Sequence, residues 1–227
     1  AVAMIVGAQT MRYLPVGLDL SGREALVVGA GAEVPAKIER LLAAGARVTV
    51  IAPEPDDATL ARAAAGEITL ERREPTDTDL EGKAIVFAAP AATPEGEARA
   101  RRWHAEAVRR GALLCTIDRP EACTFVSMAT VRAPGLTMAF GTEGASPGAA
   151  RRIREDLEAL FADPRFGRFI DRLAALRATL PRGQRAARMA EAVKGFAIEA
   201  RLRFPAWIDQ HDSESAPRTS SDRGDEP

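Results

Sequence analysis

Four six-residue apolar runs constrain this 227-residue chain most: residues 24–29 (EALVVG), 47–52 (RVTVIA), 84–89 (AIVFAA) and 112–117 (ALLCTI). Runs this short and this apolar suit strands buried on both faces of a sheet. Between them lie segments of helical period: 32–44, with Val34, Ile38, Leu41 and Leu42 on one face, then 58–65 and 95–110. A shorter strand is expected at 68–71. The order β-α-β-α-β-β-α-β implies a parallel sheet covered on both faces. Right-handed crossovers then make it a doubly wound, Rossmann-like α/β fold.

After Asp118 the pattern changes. Residues 125–131 and 136–140 read as strands joined by a turn at Ala133-Pro134-Gly135. Two strands are too few to stand alone, so they are expected to pair with a partner chain or to extend the main sheet. Helices follow at 147–161, 165–179 and 183–203, broken at Asp163-Pro164 and at 180–183. The expected organisation is a nucleotide domain over 11–118, linking and dimerisation strands over 119–146, a helical domain over 147–208, and a tail over 209–227. The tail has no apolar anchor and is expected to be disordered and dispensable. Met11 is the expected start.

Composition excludes several classes. Net charge is −1, which disfavours nucleic acid as a partner. No stretch approaches the roughly 18–20 apolar residues that span a bilayer, and the first ten residues lack the pattern of a signal peptide. Cys115 and Cys123 make no disulfide framework and suit a reducing cytoplasm; as sites they read as core thiols ahead of reactive ones. His104 and His211 are the only histidines, so no metal centre is expected. Charge is unevenly placed, however: residues 151–208 carry 13 basic and 7 acidic side chains. That surplus suits either an anionic ligand or a set of solvated helix faces.

The unit Val27-Val28-Gly29-Ala30-Gly31-Ala32-Glu33-Val34 is a strand, a glycine turn and a helix start. Gly29 permits a tight turn, and Gly31 lets backbone approach a pyrophosphate at the helix N-terminus. Val34 stands where the third glycine of GxGxxG would be, so a plain strand–helix turn is the competing reading. Glu54, 23 residues after Gly31, is placed for a ribose 2′-hydroxyl, and no arginine follows that strand at once; NAD is therefore expected over NADP. Asp118 follows the strand ending at Ile117, where doubly wound folds bind ligands; it reads as an acid/base group or as a cap before Pro120. Ser146 precedes Pro147 as a helix cap, or as part of an anion site with Arg151, Arg152 and Arg154.

Taken in order, these pieces resemble the precorrin-2 dehydrogenase/sirohydrochlorin ferrochelatase family of siroheme and cobalamin biosynthesis. The residues that carry the likeness are 13–23 (YLPVGLDLSGR), 27–53, 115–125 (CTIDRPEACTF) and 135–161. The resemblance implies a homodimer that uses NAD to oxidise precorrin-2 to sirohydrochlorin; in some members the same site inserts ferrous iron. It places the active aspartate at Asp118 and a serine- and glycine-rich loop at 141–146; the expected cofactor loop is Gly29, Ala30, Gly31, Ala32, Glu33 and Val34, and the expected substrate contacts are Thr142, Gly144 and Ser146 of that loop with Arg151 and Arg152. The chain departs from the family pattern at Ala30 (commonly glycine), Ala36 (often arginine), Pro90-Ala91 (usually polar) and Glu143 (glycine). Larger siroheme synthases carry a methyltransferase domain after this module, so methylation is expected from another protein. The competing class is a non-catalytic NAD-sensing or ligand-binding module on the same fold.

Overall fold

The computed structural model describes residues 13–208. Met11 and the tail at 209–227 lie outside the described residues. The chain runs β1 (Glu24–Val28), α1 (Val34–Ala43), β2 (Arg47–Ile51), α2 (Asp57–Ala64), β3 (Thr69–Glu71), β4 (Ile85–Ala88), α3 (Pro94–Arg110), β5 (Leu113–Thr116), β6 (Ala129–Ala133), β7 (Leu136–Phe140), α4 (Pro147–Phe161), α5 (Pro164–Thr179) and α6 (Arg185–Ala192). The first five strands form one sheet in the order β3-β2-β1-β4-β5. Every pairing in it is parallel, with Val28 beside both Ile51 and Ala88. The expected doubly wound α/β fold is present, and its strand order reverses between β1 and β4.

Alternation along β1 builds two cores. Ala25 and Val27 point to the face that α1 covers with Val34, Ile38 and Leu41, joined by Val48, Val50, Phe87 and Cys115. Leu26 and Val28 point to the opposite face, against Trp103 and Ala107 of α3, with Leu80, Val86 and Leu114. Neither layer could shed its helix without exposing a row of wholly buried side chains. The helices carry their own punctuation. Asp56 caps α2 by accepting the Thr59 N–H at 2.7 Å. Thr93 caps α3 by accepting the Gly96 N–H at 3.1 Å, and Gly111 (φ +65°) closes its C-terminus.

Three expectations change. The strand expected at 125–131 begins only at Ala129. The preceding residues serve β5 instead: Thr124 donates its N–H to Leu114 O at 2.8 Å, and Phe125 meets the Phe87 ring edge-on at 5.5 Å. β6 and β7 then pair with each other as an antiparallel hairpin rather than extending the main sheet. The Pro134-Gly135 turn (Gly135 φ +67°) joins them. The hairpin is not bare, because α4 packs on β6 and Val131 is fully buried. The helix expected over 183–203 stops at Ala192. Gly195 at φ +86° leaves the helical region there, and no helical hydrogen bonding resumes before Pro205.

The chain divides into two compact units between Gly167 and Arg168, within α5. The first holds the sheet, the hairpin and α4, where Phe161 packs edge-on to Phe166 at 4.8 Å. In the second, Phe169 of α5 stacks on Phe196 at 4.9 Å. Among the described residues no helix is long and apolar enough to cross a membrane.

Candidate functional site

The two glycines after β1 do different work. Gly29 (φ +95°) donates its N–H to Ile51 O at 2.9 Å, while Ala89 N–H reaches Val28 O at 2.8 Å. Gly29 thus lies where β2, β1 and β4 end together, too tightly for a side chain. Gly31 is the reverse case, since a Cβ there would meet nothing within 4 Å. It opens onto the start of α1, whose cap residue Glu33 makes no side-chain cap and whose first turn holds no acidic residue. Pro35 removes one N–H from that turn, but the remaining backbone donors and the helix dipole still suit an anion. The Glu33 carboxylate, which would oppose an anion, is paired with Lys37 Nζ at 3.1 Å. Lys37 is itself held close in, 12% exposed and 5.7 Å from the Phe87 ring centre. A dinucleotide pyrophosphate fits this cradle, and Gly31 leaves the room it needs.

Gly31 to Val34 form one wall of a cleft of about 580 Å³ at the carboxyl ends of the strands. Ala89, Pro90, Ala92 and Glu97 form the second wall, and residues 117–119 with Glu121 the third. The cleft lies at the point where strand order reverses, the place such sheets bind ligands. Asp118 enters it in a left-handed backbone conformation (φ +59°), which costs a non-glycine residue about 1–3 kcal/mol. Its carboxylate has no hydrogen bond or ion pair among the described residues.

The turn that carries Asp118 is tied at both ends. Thr116 Oγ1 donates to Ala122 O at 2.9 Å, and Thr116 N–H donates to Cys123 Sγ at 3.1 Å. Cys123 Sγ in turn points at Arg119 O at 3.2 Å. The neighbouring Cys115 thiol and the Thr116 N–H lower the Cys123 pKa. The neighbouring Cys123, together with burial, pushes the Cys115 thiol far up. Arg119 spans to the opposite wall, its Nε and Nη2 on Glu97 Oε1 at 2.9 and 2.6 Å. Gly96, just before Glu97, is packed where a Cβ would stand 2.1 Å from Ala91 O.

The cleft therefore gathers Gly31, Ala32, Glu33, Val34 and Asp118, with Gly29 and Ala30 on the same turn. It does not gather the remaining expected residues. Glu54 is exposed three residues beyond β2. Thr142, Gly144 and Ser146 lie in the loop before α4, where Ser146 caps Ala149 N–H at 3.2 Å and Thr142 Oγ1 accepts Ser146 N–H at 3.0 Å. Arg151 and Arg152 pair with Glu155 and Asp156 one turn on, at 2.9 and 2.7 Å. Glu97 and Arg119 line the cleft and Thr116, Gly96 and Cys123 support its walls; of these, sequence reasoning singled out only Cys123, and as a core thiol. The signal that could have found Arg119 was its place beside Asp118; Glu97 carried none beyond the acidic first turn of a helix.

A glycine turn over an open helix N-terminus, at the reversal point of a parallel sheet, defines a nucleotide-binding protein of the doubly wound class. Residues 16–129 match the family model described as "Putative NAD(P)-binding", and the chain belongs to that family. It is similar to siroheme synthases: 34% identical to that of Nitrosococcus oceani over 164 residues, 71% of this chain and 34% of the relative. With that of Pseudomonas entomophila it shares 39% identity over 155 residues, 66% of this chain and 31% of the relative. The chain thus spans about a third of the length of the curated relatives it matches. Its fold is similar to that of the solved "SirC, precorrin-2 dehydrogenase", with a TM-score of 0.66 and 23% identity over 81% of this chain and 90% of that one.

Proposed function

We propose that the chain oxidises precorrin-2 to sirohydrochlorin with NAD. The observation that carries this reading is the unpartnered Asp118 carboxylate, held in a strained backbone conformation in the same cleft as the Gly31 cradle. The siroheme synthase relatives and the solved dehydrogenase supply the substrate class. Residues 11–118 hold the cofactor, 119–146 link and help to dimerise, and 147–208 form the helical segment. When bound, NAD accepts the hydride. The proton lost with it goes to Asp118, whose carboxylate has no competing partner to satisfy. Glu54 after β2, with no arginine before Arg62, supports NAD over NADP.

Thr142, Gly144, Ser146, Arg151 and Arg152 act as a second anion-binding group in this reading, with the arginines exchanging their helix partners for substrate carboxylates. A homodimer belongs to the same proposal, supported by the exposed apolar side chains Val193, Ile198, Leu202 and Phe204. Ferrous iron as a further substrate rests on the siroheme synthase relatives. A cytoplasmic setting accords with the free thiols of Cys115 and Cys123.

The test is anaerobic incubation with precorrin-2 and NAD, read by the sirohydrochlorin spectrum and by NADH formation. Asp118→Asn keeps the shape and should slow the reaction by about 10² to 10⁴, with NAD affinity retained. An Asp118→Asn protein with unchanged rate removes the acid/base role. NAD binding without turnover by the unaltered chain would leave a non-catalytic binding module.

A further inference from the structure

We infer that Arg119, tied to Glu97 across the cleft, is a positioning residue that holds the Asp118 carboxylate in place. The inference rests on the acid/base reading of Asp118. The Arg119 N–H closes the turn over Asp118 by donating to Thr116 O at 3.2 Å, and further bonds at Thr116, Ala122 and Cys123 tie its two ends, but no side chain bonds Asp118 itself. Left-handed backbone at a residue with a Cβ persists only where its surroundings over-determine it. Arg119 is the neighbouring residue, and its side chain is the part of the turn that leaves it. Its guanidinium makes two hydrogen bonds to Glu97 Oε1, at 2.9 and 2.6 Å, and reaches Pro90 O at 3.4 Å. One side chain therefore fastens the Asp118 turn to both the β4–α3 loop and the first turn of α3.

The anchor is firm on the far side. Thr93 caps α3 there, and Gly96 packs so closely on Ala91 that no side chain fits. The Arg119 side chain is only 15% exposed, so its end of the pair is held within the protein, while Glu97, 44% exposed, meets solvent. Arg119 is paired with Glu97 and largely buried, unlike Arg151 and Arg152, whose exposed side chains are able to exchange partners.

Arg119→Met, Glu97→Ala and the double variant are compared in the full chain, each alone and combined with Asp118→Asn. Loss of the strap should lower kcat for precorrin-2 oxidation about 10- to 100-fold, the scale expected when a reacting group is misplaced by about an ångström. NAD affinity and KM should change little. The double variant should be no worse than either single one, and in the Asp118→Asn background the strap variants should cost nothing further. Arg119→Lys, which keeps the charge, should recover part of kcat. A crystal structure of Arg119→Met should show Asp118 leaving the positive-φ region, a readout independent of activity and still available if one variant fails to fold, since Glu97→Ala makes the same prediction. An unchanged kcat, a raised KM at constant kcat, an equal loss in the Asp118→Asn background, or Asp118 unmoved would each overturn the proposal. Failure of the underlying reading looks different: Asp118→Asn alone would then run at the unaltered rate, and the strap inference would fall with it.

Discussion

A Cβ on Gly29 would stand 2.3 Å from the carbonyl oxygen of Ala89, at the meeting point of the two central strands. Two residues on, the same atom on Gly31 would touch nothing within 4 Å. One turn therefore contains a glycine needed by the fold and a glycine that leaves room for a ligand.

Opposite outcomes are expected at these two positions. Gly31→Leu should fold and melt like the parent while NAD binding, followed by fluorescence titration, is lost or weakened severely. Gly29→Ala should lower the melting temperature, because it meets both the Ala89 backbone and an unfavourable positive φ. Tight NAD binding by a folded Gly31→Leu protein would move the pyrophosphate elsewhere.

Lys37 sets the charge at the cradle. It neutralises Glu33 at 3.1 Å, one turn into α1. Lys37→Met leaves that carboxylate uncompensated beside the proposed anion site and should weaken NAD binding several-fold, more at low salt than at high. Glu33→Gln in the same background should restore binding. If Glu33→Gln leaves the loss intact, Lys37 acts through its packing against Phe87 rather than through charge.

The sheet was legible because Val27, Val50, Val86 and their neighbours are buried on both faces, and burial of that kind writes itself as unbroken apolar runs. The cleft was half legible for a related reason: Gly31 and Asp118 sit at strand ends whose position follows from the fold. Arg119 and Glu97 were not legible, since an ion pair 22 residues apart depends on how α3 docks. Phe125 misled in the other direction. Its β-forming character read as hairpin strand, whereas its ring is spent on Phe87 beneath β5. Gly195 ended a helix that Ala- and Arg-rich sequence on both sides would have continued.

Acid should loosen the loop between β3 and β4. Hydrogen bonds from Arg73, at 2.7 and 2.9 Å, and then from the Thr76 N–H hold the Asp79 carboxyl below its ordinary range. A carboxyl lowered in the folded state stabilises it at pH above about 4, and that contribution is lost as pH falls through the folded value. Asp79→Asn should therefore be less stable at pH 7, by about 1–3 kcal/mol, and show a flatter decline between pH 5 and 2. Urea midpoints measured across that range check both. Parallel curves for the two proteins would mean that other carboxylates govern acid unfolding.

Glu143 carries the second left-handed non-glycine backbone among the described residues, at φ +52°, and Gly144 follows it at φ +88°. The resemblance places glycine where Glu143 stands, and the backbone explains why: the loop from β7 to α4 needs a conformation that a Cβ resists. The loop is retained because Thr142 bonds Ser146 at 3.0 Å and Ser146 caps α4, fixing both sides of the strained residue. Glu143→Gly removes the steric cost of about 1–2 kcal/mol and gives back part of it through the greater freedom of the unfolded chain. The net gain should be about 1 kcal/mol, which for a chain of this size raises the melting temperature by roughly 2–4 °C. NAD affinity should not change, because this loop does not line the cleft. A lower melting temperature would show instead that the Glu143 side chain contributes more to the loop than its backbone strain takes away.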